Sequence, residues 1–221
     1  FTVTPGTGDF KNVVSGGENA TIVFTVKDDS TNFTGSVSIV LTINPLDLST
    51  INANAITITT SEADLVFNNS PKTPDFSFTI GDDTYTKNSS KDLDVSYSNN
   101  TNASNEAKIT IKAKSGGNFT INTYTQKTFT ITARDISNAT IGAIADITYT
   151  GSAVTLPALT VTDSATKATV TYDITGYQVS ADNGTTWTAI TSDKLINPGR
   201  YKVIITGTSN YQGTKSHTFE I

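Results

Sequence analysis

Asn32-Phe33-Thr34-Gly35, Asn118-Phe119-Thr120-Ile121 and Asn210-Tyr211-Gln212-Gly213 are three versions of one signal: an asparagine and an aromatic ahead of a strand-like run. The runs end at Ile43, Ile131 and Ile221, which lie 88 and 90 residues apart. A β-type pattern that returns at such a spacing predicts tandem domains of one fold rather than one large domain. It divides the chain into a partial unit, 1–44, and two complete units, 45–133 and 134–221. Units of that size can bury a core without metals or disulfides.

The patterning within the units is that of sheets with one wet face. Ala107, Ile109, Ile111 and Ala113 alternate with Lys108, Thr110 and Lys112, and Tyr201, Val203 and Ile205 alternate with Lys202 and Thr206. Period two places each set on its own face of a strand. Both units also open with an irregular stretch, then an aromatic, a turn and a proline: Phe67-Asn68-Asn69 before Pro74, and Tyr149-Thr150-Gly151 before Pro157. Gly, Asn, Asp and Pro punctuate the chain throughout, and no segment sustains a helical period. The expected fold class is all-β, a tandem array of β-sandwiches.

Residues 1–44 match only the back half of a unit. Phe1-Thr2-Val3-Thr4 is followed by Ala20, Ile22, Phe24 and Val26 on one face, then by Val37, Ile39, Leu41 and Ile43. Three strands with one apolar face need a cover, because one sheet of a sandwich must bury the other. Chain ahead of Phe1, packing as a lid on the second unit, or a neighbouring molecule would each supply it, and the first is the preferred expectation. The start at Phe1, without Met, signal peptide or anchor, also leads us to expect a part of a longer exported protein.

Composition narrows the functional classes. The chain has no Cys and no Met, but 42 Thr, 21 Ser and 19 Asn. Without cysteine there are no disulfides, thiolate metal sites or cysteine nucleophiles. For an exported protein this fits a bacterial surface better than a disulfide-rich secreted domain. Thr suits half-exposed strands, while 10 Phe, 8 Tyr and one Trp supply core mass. The formal charge is −5 and the basic residues are scattered, which argues against nucleic acid. No apolar run approaches the roughly 18 to 20 residues that span a membrane, so no membrane insertion is expected.

Candidate chemistry is sparse. Asp28-Asp29, Asp82-Asp83 and Asp92 with Asp94 are acidic clusters at expected turns or strand starts. Oxygen-rich loops can hold calcium, although none here has EF-hand spacing and solvated turn carboxylates are the simpler reading. The sole histidine, His217, shares strand parity with Phe219 and Ile221, and one His without Cys assembles neither a triad nor a zinc site. No carboxylate spacing selects a glycosidase pair. Tyr97, Tyr124, Tyr149, Tyr177 and Trp187 could form a sugar-stacking platform, but alternation places most of them in the core or at corners.

Ser180-Ala181-Asp182-Asn183-Gly184-Thr185-Thr186-Trp187 resembles the Asp-box of sialidases and several unrelated β proteins. Physically it is a turn device: Asp182 accepts backbone N–H groups, Gly184 permits positive φ and Trp187 packs beneath. A sialidase would need an arginine cluster, and this chain has only Arg134 and Arg200.

A second resemblance rests on three stretches. They are Tyr149-Thr150-Gly151 with Pro157, Tyr97-Ser98-Asn99-Asn100-Thr101-Asn102-Ala103 before a strand, and Asn210-Tyr211-Gln212-Gly213-Thr214 before Phe219-Glu220-Ile221. These look like the Ig-like repeats of large bacterial surface proteins, and the composition resembles surface-layer proteins. The likeness implies tandem Ig-like domains acting as a non-enzymatic spacer in an extracellular surface-layer subunit or adhesin stalk. Its partners would be neighbouring domains, further copies through self-assembly, or a cell-wall or host glycan. A carbohydrate-binding or other ligand-binding β-sandwich module is the alternative. The second unit departs from the pattern at Ile121, where the third has Gly213, so a longer or differently wound turn is expected there.

Overall fold

The computed structural model describes residues 1–6, 10–13 and 20–221. The chain is all-β, with 43% of its residues in strands, several antiparallel sheets and no helix of seven or more residues among those described. Among the described residues, helical structure is limited to short 3-10 turns at Leu48–Thr50, Ala53–Ala55, Glu62–Leu65 and Ser192–Lys194. Asp47, Asn52 and Ser61 start the first three by accepting a backbone N–H with their side chains. None of these is long and apolar enough to cross a membrane.

In chain order, β1 (Thr2–Pro5), β2 (Ala20–Thr25) and β3 (Ser36–Leu41) form an antiparallel meander. A second sheet joins β4 (Thr57–Ile58), β5 (Phe76–Ile80) and β6 (Asp83–Thr86). A third follows the order β7 (Leu93–Ser98), β8 (Ser104–Ala113) and β9 (Tyr124–Ile131). Next come β10 (Arg134–Asp135), β11 (Thr140–Ile141), β12 (Val161–Thr162), β13 (Tyr172–Ser180), β14 (Thr188–Ile190), β15 (Arg200–Gly207), β16 (Tyr211–Gln212) and β17 (Thr214–Glu220). Of these, β14, β13, β15 and β17 build a four-stranded antiparallel sheet, β11 pairs with β12, and β10 runs parallel to β16.

Contacts divide the chain into two compact units. The first holds Phe1–Thr59, Pro74–Ser98 and Lys108–Thr128; the second holds Thr60–Thr73, Asn99–Ala107 and Phe129–Ile221. In the first, Leu48, Ile56, Phe76, Phe78, Leu93, Ile109, Ile111 and Phe119 are buried. Four rings run through this core, Phe76 against Phe78, Phe78 against Tyr85, and Tyr85 edge-on to Phe119. In the second, the core comprises Leu65, Phe67, Ile131, Ile136, Ile141, Val161, Val170, Leu195, Tyr201, Val203, Ile205, Tyr211 and Phe219.

The alternation read from the sequence is the alternation of burial. Ala107, Ile109 and Ile111 have no exposed surface, while Lys112 between the same strands is exposed. Val203 and Ile205 are likewise fully covered, with Lys202, Ile204 and Thr206 half-buried. The turn before β9 differs from its counterparts as the sequence suggested. Gly35 and Gly213 take positive φ one residue before β3 and β17, whereas Asn122 does so two residues before β9 and one position later than Ile121. At Gly213 φ is +79°, which favours glycine, and a Cβ would also make the Asp135 carboxylate shift.

Candidate functional site

Two asparagines of the recurring signal, Asn118 and Asn210, make matching sets of hydrogen bonds. Asn118 Oδ1 accepts the Val13 N–H at 2.9 Å, and its Nδ2 donates to Asn12 Oδ1 at 3.0 Å. Asn210 repeats this against a different loop: its Oδ1 accepts the Ala103 N–H at 2.8 Å and its Nδ2 donates to Asn102 Oδ1 at 3.1 Å. The main chain joins in, because Asn118 O accepts the Leu46 N–H at 3.1 Å and Asn210 O accepts the Arg134 N–H at 2.9 Å. One residue thus ties an arriving segment through its carbonyl and a distant loop through its side chain. Only a carboxamide presents an acceptor and a donor side by side in this way; aspartate at neutral pH would accept but not donate.

The aromatic that follows is equally fixed in two cases of three. Phe119 and Tyr211 are 3% and 5% exposed, and each lies in a parallel bridge, Leu46 with Phe119 and Arg134 with Tyr211. Tyr211 also packs edge-on against Phe67, with centroids 5.6 Å apart. Phe33, in contrast, is 72% exposed.

Beside Tyr211 lies an ion pair with a buried carboxylate and a partly exposed arginine, which no local motif announces. Arg134 Nε meets Asp163 Oδ2 at 2.5 Å, and its Nη1 donates to Phe67 O at 3.3 Å. Burial pushes the Asp163 carboxyl up, but the backbone N–H groups of Thr166 and Ala165 and the Arg134 guanidinium outweigh it, so the group ionises below the usual carboxylate range. Burial, with Asp163 close by, raises the Tyr211 phenol. The cluster shapes the turn after β12 and locks β10 against it.

Side-chain hydrogen bonds close the turn at Asp182. Ser180 Oγ donates to Asp182 Oδ1 at 2.8 Å and accepts the Gly184 N–H at 2.6 Å, while Asp182 Oδ1 and Oδ2 accept the Thr186 N–H and hydroxyl at 2.7 and 2.6 Å. Those Thr186 bonds, then Ser180, bring the Asp182 pKa down to about 2. Asn183 and Gly184 both take positive φ. Trp187 is half-buried, and the Lys202 Nζ lies 3.9 Å from its ring centroid, a cation–π contact on the outer side of the sheet.

The acidic candidates for calcium remain dispersed. Asp28 and Asp29 are exposed at a turn, and Asp83 pairs with the Lys11 ammonium at 2.6 Å, which raises the lysine pKa. Among the described residues no three carboxylate or His side chains gather into a group that could hold a metal ion. His217 faces Val203 across β15 and β17, half-buried within the sheet. Of the aromatics, Tyr97 donates its hydroxyl to Pro74 O, and Tyr124 and Tyr149 are about half exposed. Tyr124 borders a polar hollow of about 580 Å³ with Ser96, Thr110, Lys112, Asn122 and Gln126.

Finally, β1, β2 and β3 present a sheet with two unlike faces. The register places Val3, Phe24 and Val37 in one row, Pro5, Ile22 and Ile39 in the next, and Ala20 with Leu41 in a third. The opposite face carries Thr2, Thr4, Thr21, Thr25, Ser36 and Ser38, with Val23 and Val40. Val3, Val37 and Ile39 are 55%, 67% and 47% exposed. The Phe1 ring packs tilted against Phe24, with centroids 5.9 Å apart, and with Val26 and Val37 it borders a hollow of about 330 Å³.

Compared with protein-family models, with curated proteins and with solved structures, the chain matches none. Its function is therefore argued from these contacts. The sequence pointed to the asparagines as a recurring mark but not to their partners, which lie 105 to 108 residues away. It gave no sign of the Arg134–Asp163 pair.

Proposed function

We propose that this chain is a non-enzymatic structural segment, a tandem array of Ig-like β-sandwich units in a bacterial extracellular surface protein of the surface-layer or adhesin-stalk kind. The observation that carries the reading is the matched pair of asparagine ties. Asn118 ties the loop at Asn12 and Val13 into the first compact unit, and Asn210 ties the loop at Asn102 and Ala103 into the second. The same arrangement of donors and acceptors in both units is what repetition of one structural module gives, and each tie stiffens its own unit.

The polar clusters support the same reading, since the Asp182 turn, the Asp163 turn and the asparagine ties all bond to the protein's own backbone. The sulfur-free, acidic, Thr-rich composition supports an extracellular location. Small-angle scattering tests the mechanical claim: a semi-rigid array gives one extended distance distribution. Freely hinged units in the unaltered chain would sink the proposal.

The hollow beside Tyr124 favours a second reading, a glycan-binding module. An exposed ring flanked by Thr110, Asn122 and Gln126 offers stacking together with donors and acceptors. Saturable binding on a glycan array, lost in Tyr124→Ala, would support it over the spacer.

A further inference from the structure

We propose that Asn183-Gly184 is a latent deamidation site, kept closed in the folded chain because Ser180 and Arg200 hold the peptide unit between these two residues at both ends. The turn itself selects the dipeptide. Asn183 has φ of +57° and Gly184 of +99°, and asparagine and glycine take such left-handed positions at least cost. The same pair is chemically the most labile asparagine sequence, because glycine has no side chain to hinder attack by its own nitrogen. It occurs once in the chain.

The reaction is an internal displacement. Gly184 N, stripped of its proton by hydroxide, bonds to Asn183 Cγ; the Cγ–Nδ2 bond breaks, and the departing nitrogen takes a proton from water and leaves as ammonia. Water then opens the five-membered imide at either carbonyl, giving aspartate or isoaspartate. The net change is water in and ammonia out. Position 183 gains a carboxylate, and the isoaspartate form adds a methylene to the main chain.

The geometry opposes the first step in three ways. The Gly184 N–H donates to Ser180 Oγ at 2.6 Å, so the proton that hydroxide must take is already engaged, at a serine that is 8% exposed. The carbonyl of the same peptide, Asn183 O, accepts from Arg200 Nη1 at 3.2 Å. Ser180 on β13 and Arg200 on β15 are direct cross-strand partners, so the clamp is anchored in the sheet beside the turn. Lastly, Asn183 lies in the left-handed region, where ψ of about +30° to +60° sets the following nitrogen on the far side of the Cα–C bond from Cβ. Ring closure must rotate the peptide about that bond, which breaks both hydrogen bonds together. The Asn183 side chain adds no restraint, since it is exposed and, among the described residues, its carboxamide makes no hydrogen bond.

Incubating the full chain in mildly alkaline buffer, followed by peptide mapping that separates asparagine, aspartate and isoaspartate at position 183, tests this. We expect the folded chain to lose Asn183 about tenfold or more slowly than the same chain unfolded in urea, because two hydrogen bonds must open first. That comparison needs no variant. Ser180→Ala should raise the folded-state rate about fivefold and speed hydrogen exchange at the Gly184 amide, while Arg200→Ala should raise the rate by less, its bond being longer and exposed. Asn69, which precedes Ser70 in the same compact unit, is the internal control. A rise at Asn183 with Asn69 unchanged supports the clamp. An equal rise at both would mean general loosening of the unit and would overturn it. So would a folded chain that deamidates as fast as the unfolded one, or an S180A chain no faster than the unaltered one.

Discussion

The sheet of β1, β2 and β3 and the sheet built on β13, β15 and β17 share antiparallel neighbour order and period-two alternation, yet Ile39 is 47% exposed and Ile205 is fully buried. The difference lies outside the strands. Around β15 and β17 there is a cover: β10 lies parallel to β16, β11 pairs with β12, and Ile136, Ile141, Val161, Val170 and Leu195 are all buried in the same unit. On β1 to β3, Val3, Val37 and Ile39 are exposed while Ile22 and Phe24 are half-buried. Alternation therefore determines which side chains share a face, while a second layer determines what that face contributes to stability.

The comparison can be broken most directly in the covered sheet. Ile205→Ala should destabilise its unit by about 2–5 kcal/mol in urea unfolding, whereas Ile39→Ala should cost under about 1 kcal/mol, because an exposed site leaves no cavity. Equal losses would mean that the first sheet is covered in solution. Next comes the ion pair that anchors the cover. Asp163→Ala leaves Arg134 facing Phe67 O without its carboxylate, and we expect a loss of about 2–3 kcal/mol, below the figure for a fully buried pair because Arg134 is partly exposed.

The asparagines sharpen the same contrast at smaller cost. Asn210→Ala removes two side-chain hydrogen bonds and should cost about 1–2 kcal/mol, while Asn32→Ala, at an exposed position, should change thermal unfolding little. The smallest effect is one of pH. The Asp182 pKa is lowered from 3.8 to about 2, so its stabilising bonds are fully present above pH 3.8 and are lost as the pH falls through about 2. Asp163, also depressed, acts with the same sign. A carboxyl-detected NMR titration should place the Asp182 midpoint near 2, and Ser180→Ala should move it upward.

Much of this was legible because it is local. The alternations at 107–113 and 201–206 give strands with the predicted inner faces. Ser180, Asp182, Gly184 and Thr186 specify their turn within seven residues, where side-chain reach and backbone φ decide the outcome. The displaced turn before β9 followed from one substitution, Ile121 in place of glycine, with Asn122 supplying the left-handed residue instead. What stayed hidden is long-range. Asn118 meets Asn12, and Arg134 meets Asp163, only after intervening strands have been laid down, and nothing in the neighbouring residues of either partner encodes the other.

The parallel pairing of β10 with β16 has a consequence for load. The Arg134 N–H bonds to Asn210 O and the Ile136 N–H to Gln212 O, both at 2.9 Å, so the start of this region is fastened beside the approach to its last strand. Tension applied at Arg134 and Ile221 would slide these two segments past each other along their length. Both bonds must then rupture together rather than open one after the other like a zipper, and the Asn210 amide and the Arg134–Asp163 pair resist the same displacement. Extension in a force spectrometer would therefore meet its barrier at this clamp.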